Sequence, residues 1–382
     1  MTGHLRQRSP GSWEIKFDAG ADPVTGKRKT RYVTVKGGKK AAQAELRRLL
    51  SAVDEGRDVE PSKTTLAEYL GRWQRDWAAL NVSPKTAERY GELMRLHVCP
   101  HIGKLPIQKL HPAHLAELYA RLRREEPSRP ALAARTVGHV HRVLHKALKI
   151  AVEWGICQRN PAEITKPPKA ENGEIEILSE PQIRDVMAKL SDHPLHTFVR
   201  LGLGTGMRRG ELLALRWRDV DLAAGKLRVE LSLEQTKAGL RFKAPKTRHG
   251  RRTITLPASG IATLQAHWKA QQEHRLKLGV GKAPDDALVF CNWDGTPRSP
   301  NAVTKQWASA VSSLGLPKVS LHALRHTHAS QLIASGLDVL SISRRLGHGS
   351  PTITLGVYGH LFSNTDDRAA QVIEAAFGGA TE

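Results

Sequence analysis

The segment AARTVGHVHRVLHKALKIAVEWGI, residues 133–156, restricts this chain more than any other. Its apolar residues Val137, Val140, Leu144, Leu148 and Val152 recur at intervals of three and four, the period of one face of an α-helix. A helix striped over that length needs other helices to cover it. The preceding sequence supplies them: LAEYLGRWQRDWAAL behind a cap at Thr64 or Thr65, a helix opened by Ser83-Pro84, and HPAHLAELYARLRRE. Residues 64–165 therefore read as a bundle of helices alone, with Arg and Lys on the outer faces.

The flanking segments have different periods. SWEIKF alternates, with Trp13, Ile15 and Phe17 on one face. TRYVTVK alternates again, offering Tyr32, or Val33 and Val35 on the opposite face, and a helical segment follows up to about Gly56. Residues 1–60 thus read as a small strand-plus-helix domain. TKPPKAENGEIE reads as a linker over residues 166–176. From residue 177 the chain has a helix capped by Ser179, then a helix–glycine–helix passage, then alternating residues over 226–257 that predict a two- or three-stranded antiparallel sheet. More helices and an amphipathic tail helix over 366–379 follow. The fold class is mainly α with small antiparallel β-sheets (α+β), in several domains.

The 382 residues carry 59 Lys and Arg against 37 Asp and Glu, a net charge of +22. Such an excess points first to a polyanionic partner, usually nucleic acid, before an anionic membrane surface. No run approaches the ~20 apolar residues that span a bilayer, and MTGHLRQRSPGSW lacks the apolar core of a secretory signal. Cys99, Cys157 and Cys291 are far apart and form no CxxC pair, so neither a disulfide framework nor a zinc ribbon is indicated. A cytoplasmic protein with reduced thiols is expected. In the first domain Lys16, Lys27, Arg28, Lys29, Arg31 and Lys36 suggest a basic sheet face able to enter a DNA groove.

Three short segments carry chemistry. TGMRRGEL places Arg208 after a glycine break at the start of a helix, with Glu211 three residues on to orient it. LHALRHTHASQLIASG reads as a helix capped by Ser320 and ended by Gly336, presenting His322 and Arg325 on one face. His322 and His326 have the spacing of a zinc-binding helix, but the acid of HExxH is missing and Arg325 lies between them. In LSISRRLGHGSPTITLGVYGHL, Gly347 ends one helix, His348 lies in the turn, and Ser350-Pro351 opens a short helix with Tyr358 at its far end. Planar, permanently charged guanidiniums suit phosphate oxygens, and a nucleophile needs a group to take its proton.

In this order the three segments resemble the signature boxes of the tyrosine recombinases, the lambda-type integrase family, over the whole of residues 177–382. The resemblance marks Arg208 and Arg325 as phosphate-clamping residues, Glu211 as the support of Arg208, and His322 and His348 as hydrogen-bonding or acid–base groups. It marks Tyr358 as the nucleophile. The family also uses a hairpin lysine, for which Lys246 in APKTRHGRRTITLP is the best match, with Lys237 and Lys243 as rivals. The order of parts is similar to that of phage integrases: an arm-type DNA-binding domain (1–60), a helical core-binding domain (64–165) and a catalytic domain (177–382).

What the resemblance implies is a reaction. Tyr358 attacks a scissile phosphate and forms a 3′-phosphotyrosyl bond, Lys246 protonates the leaving 5′-oxygen, and a partner strand's 5′-hydroxyl reverses the step without metal, ATP or any other cofactor. His322 is the expected base or hydrogen-bond partner of Tyr358, whose pKa the two arginines should lower. The implied partners are double-stranded DNA attachment sites, a homotetramer on paired sites, and an excisionase or host DNA-bending protein, in a bacterial host's cytoplasm. A Xer-type resolvase, a type IB topoisomerase and a DNA-binding regulator without activity are the rival readings.

Overall fold

In the computed structural model the described residues are 3–21, 26–54, 61–125, 130–171, 175–245 and 248–362, with 373, 374, 376 and 377 in the tail. The chain divides into two compact units, Met1–Asn172 and Gly173–Glu382.

The first unit opens with three antiparallel strands in chain order, β1 (Gly3–Ser9), β2 (Ser12–Ala21) and β3 (Arg28–Lys36). Leu5, Ile15 and Val33 lie opposite one another, and helix α1 (Lys39–Asp54) packs against β2. Ile15 and Phe17 are buried, as their alternation predicts. The other face bears the row His4, Lys16 and Tyr32, with Tyr32 exposed and the Lys16 ammonium 5.7 Å from its ring centre. The same alternation corrects the expectation of one basic face. Lys16 and Lys36 lie on the exposed side, whereas Lys29 and Arg31 fall on the side of Val33 and Val35. Arg28 is bound by Asp18, its Nε 2.6 Å from Oδ2.

Helices α2 (Leu66–Trp73), α3 (Ala79–Asn81), α4 (Pro84–His97), α5 (Cys99–Ile102), α6 (Pro112–Leu122) and α7 (Ala134–Glu153) follow. Thr65, not Thr64, caps α2, and the N–H of Thr65 donates in return to Glu68 at 2.8 Å. Ser83 sits at the cap position of α4, but its hydroxyl pairs with Thr86 instead of the helix backbone. Val137, Val140, Leu144 and Leu148 of α7 are wholly buried. Each such side chain contributes about 1.5–3 kcal/mol by leaving water. Trp73 stacks on both Trp77 and Tyr90, at 5.6 and 5.8 Å between ring centres.

The second unit contains helices α8 (Glu180–Lys189), α9 (His196–Thr205) and α10 (Arg209–Leu213) before its strands. The strands are β4 (Val220–Asp221), β5 (Lys226–Val229), β6 (Ser232–Thr236), β7 (Gly239–Lys243) and β8 (Arg252–Thr255). They do not form one sheet. β8 returns to pair with β5, giving the order β4-β5-β8, and leaves β6-β7 as a separate hairpin. Helices α11 (Ala258–Lys277), α12 (Pro300–Ser313), α13 (Ala323–Ala334), α14 (Val339–Leu346) and α15 (Pro351–Tyr358) complete the unit.

Helix α9 packs against α11 and α13, and its buried Phe198 meets Phe290 edge-on, 5.1 Å between ring centres. Gly206 ends α9 with φ +65°, and a Cβ there would lie 2.7 Å from His328 and 2.8 Å from Leu346. Only glycine meets both conditions. A smaller apolar cluster joins Ile333, Ile342, Leu346 and Tyr358, and Ile175 packs against it. Three residues after Ile175, the N–H of Leu178 donates to Thr327 Oγ1 at 2.9 Å, fastening this stretch to α13. Lys246 lies outside the described residues, as does most of the expected tail helix; residues 373, 374, 376 and 377 are helical, with Ile373 and Phe377 exposed. Among the described residues no helix is long and apolar enough to cross a membrane.

Candidate active site

Arg208 is the N-cap residue of α10, with an extended backbone (φ −72°, ψ 151°). Glu211, at the third helical position, accepts from the Arg208 N–H at 3.0 Å and from Arg208 Nη1 at 2.7 Å. Its carboxylate also accepts from Arg252 Nη2 at 2.9 Å. Burial pushes the Glu211 carboxyl upward, but Arg252 and Arg208 outweigh it and hold the group below the usual carboxylate range.

Arg325 is on the first turn of α13 and is buried. Its Nη1 donates to the Gly206 carbonyl at 2.7 Å, while its buried Nη2 has no hydrogen-bond partner among the described residues. Burial, reinforced by Arg208, pushes the Arg325 pKa down to about 9. A guanidinium so placed needs an acceptor, preferably an anion.

Three imidazoles face the same space. Helix α13 begins at Ala323, two residues later than the sequence pattern suggests; Ser320 Oγ accepts from the Ala323 N–H, and His322 takes the N-cap position. His322 stacks edge-on with His326, 4.7 Å between ring centres. His348 follows Gly347, which ends α14 with φ +68°, and pairs through Nδ1 with Thr354 Oγ1 at 2.8 Å. Burial and the neighbouring cations hold His322 and His348 at about 4, and burial with Arg325 lowers His326. All three are neutral at pH 7.

Tyr358 is the last residue of α15, the helix capped by Ser350, and is buried. Its hydroxyl lies 2.8 Å from His326 Nδ1. The expected partner, His322, does not hold it, because His326 is one turn further along α13 and faces the end of α15. Burial raises the Tyr358 pKa, and the opposing pull of Arg325 and Arg208 does not cancel the rise. The expected net lowering is therefore absent.

Arg208, Glu211, His322, Arg325, His348 and Tyr358 line one cleft of about 570 Å³. Pro245 and Gly250, which flank the stretch containing Lys246, line it as well. The rival Lys243 also borders the cleft, but its ammonium is paired with Glu234. A cavity with two guanidiniums, neutral imidazoles and a tyrosine hydroxyl suits an anionic substrate and attack by that hydroxyl. The phage integrase family model matches residues 176–365, which contain every one of these groups. The chain belongs to the tyrosine recombinase family of phage integrases.

A model of the phage integrase N-terminal SAM-like domain matches residues 65–123 of this tyrosine recombinase. A XerC-like tyrosine recombinase of Caldanaerobacter subterraneus subsp. tengcongensis is 26% identical, over 89% of this chain and 90% of its own length. The ICEBs1 integrase of Bacillus subtilis is 25% identical, over 97% and 99%. The solved Tn1549 transposon integrase, in complex with transposon right end DNA, shares the fold with a TM-score of 0.69 and 21% identity. That likeness covers 82% of this chain and 99% of that one.

Two residues of this recombinase's site escaped the sequence reading. Arg252 donates through Nε to the Arg345 carbonyl at 2.7 Å as well as to Glu211, joining β8, α10 and the end of α14. Its signal was its place on the same side of β8 as buried Ile254. His326 was legible only as a potential metal ligand, since its partner Tyr358 is remote in sequence.

Proposed function

We propose that this chain is a site-specific DNA recombinase that integrates and excises a phage or other mobile element through a 3′-phosphotyrosyl intermediate. Arg325 Nη2, without a partner among the described residues and buried beside the cleft that the Tyr358 hydroxyl also borders, carries the reading. A non-bridging oxygen of the scissile diester would satisfy it, and Arg208, oriented by Glu211, would bind a second. Tyr358 Oη forms a bond to phosphorus as the bond from phosphorus to the 5′-oxygen breaks. Lys246 protonates that oxygen. His322 and His348 hydrogen-bond the phosphate oxygens. The phosphotyrosyl bond retains the free energy of the diester, so the 5′-hydroxyl of a partner strand reseals it.

Residues 1–60 are assigned to arm-type sites, 64–165 to core sites and 177–382 to catalysis, on a homotetramer bridging two attachment sites. An excisionase or a host DNA-bending protein would set direction, in the bacterial cytoplasm. The match along nearly the whole ICEBs1 integrase, including its N-terminal part, supports an integrase. The XerC-like relative favours a second reading, a Xer-type resolvase. Mapping cleavage on a candidate attachment site separates the two.

The nucleophile is tested with a nicked duplex that traps the covalent intermediate. Tyr358→Phe should bind this DNA as wild type does and give no protein–DNA adduct. An adduct in that variant would end the assignment.

A further inference from the structure

The geometry points to His326 as the group that takes the proton from Tyr358 when the nucleophile attacks. The assignment rests on the reading of Tyr358 as nucleophile and adds a residue to that machinery. Its Nδ1 lies 2.8 Å from the tyrosine hydroxyl, within the 2.6–3.2 Å reach expected of a general base. With Nδ1 accepting, the ring's own proton sits on Nε2.

Every charged or titratable group around His326 bears on its proton affinity. His322 and Arg325 flank it on α13, Tyr358 meets it from α15, and Arg208, Glu211 and His348 border the same cleft. Burial and Arg325 favour the neutral ring. A neutral ring is the form that can accept. The imidazolium it becomes lies beside Arg325, so it forms at a cost until negative charge enters. A bound diester brings one negative charge, and the phosphorane-like transition state brings a second. The substrate itself therefore raises the basicity of His326 just as Tyr358 needs it.

The proton balance closes. The O–H bond of Tyr358 breaks, an N–H bond forms at His326 Nδ1, the tyrosine oxygen bonds to phosphorus and the 5′-oxygen departs with the proton that the proposed function assigns to Lys246. In resealing, the imidazolium returns its proton to the departing tyrosine. His322 is thereby left to the phosphate.

The test is chemical rescue with full-length protein and a nicked duplex carrying the mapped attachment site. His326→Gly should bind the duplex normally but form the Tyr358 adduct at least 100-fold more slowly. Imidazole should restore the rate, and substituted imidazoles should restore it more as their pKa rises. His326→Gln fills the space and should stay slow, which separates proton transfer from packing. Wild-type rates in either variant overturn the assignment, as does a deficit that no imidazole relieves. Absence of an adduct with the wild-type protein overturns the nucleophile reading, and with it the base.

Discussion

Arg252 Nη2 donates to Glu211 Oε2 at 2.9 Å, and both side chains are almost wholly buried. The same carboxylate holds Arg208, whose side chain is 41% exposed. One buried anion thus aligns cations from two distant segments.

Removing Glu211 leaves the buried Arg252 charge with carbonyl acceptors only and no anion. Glu211→Ala should cost about 3–5 kcal/mol, the usual penalty for breaking a buried pair. Arg208→Ala should cost about 1 kcal/mol or less, since that half of the network is open to solvent. Urea denaturation of both variants decides it. Equal midpoints would mean that Glu211 is not the anchor described.

Arg325 uses one nitrogen on the Gly206 carbonyl, and the other has no partner among the described residues. A lysine cannot offer both. Arg325→Lys should slow single-turnover cleavage by about 100- to 1000-fold, the scale of losing one transition-state donor. DNA affinity should fall far less. A variant within tenfold of the wild-type rate would show that the fork is dispensable.

His322, His328 and His348 are held at about 4, in each case chiefly by burial. The unfolded chain, with ordinary histidines near 6.5, binds more protons than the folded one between these values. Stability should therefore rise with pH from about 4 to about 6.5 and level off above. Equilibrium unfolding at pH 4.5 and pH 7 measures this. A flat profile through that window would mean the histidines are not burdened in the fold.

On the first sheet Lys16 and Lys36 stand on the exposed side while Arg31 shares a side with Val33. If the exposed side contacts phosphates, Lys16→Ala and Lys36→Ala should each reduce the slope of log affinity against log salt by about 1. Arg31→Ala should leave that slope unchanged. Titration of arm-site DNA at several salt concentrations tells them apart, and the opposite ranking would reverse the face.

Local chemistry made much of this legible beforehand. The stripe on α7, the cap at Ser350 and the glycine ends at 206 and 347 are written in short-range spacing. So was the convergence of Arg208, His322, Arg325, His348 and Tyr358, once three separate segments matched one family in order. Contacts between remote residues were not legible. Nothing near His326 names Tyr358 as its partner, and nothing near Arg252 names Glu211. The return of β8 to β5 rather than to the hairpin is likewise a long-range choice. The rise in the Tyr358 pKa followed from depth of burial, which spacing along the chain does not encode.

The bond from Leu178 to Thr327 also bears on engineering. Thr327 is two residues from Arg325 and next to His326, and Ile175 lies against the cluster that includes Tyr358. A chimera with another recombinase's N-terminal unit should therefore be spliced upstream of Ile175. A junction placed after Leu178 would replace a structural peg of the reactive helix along with the connector.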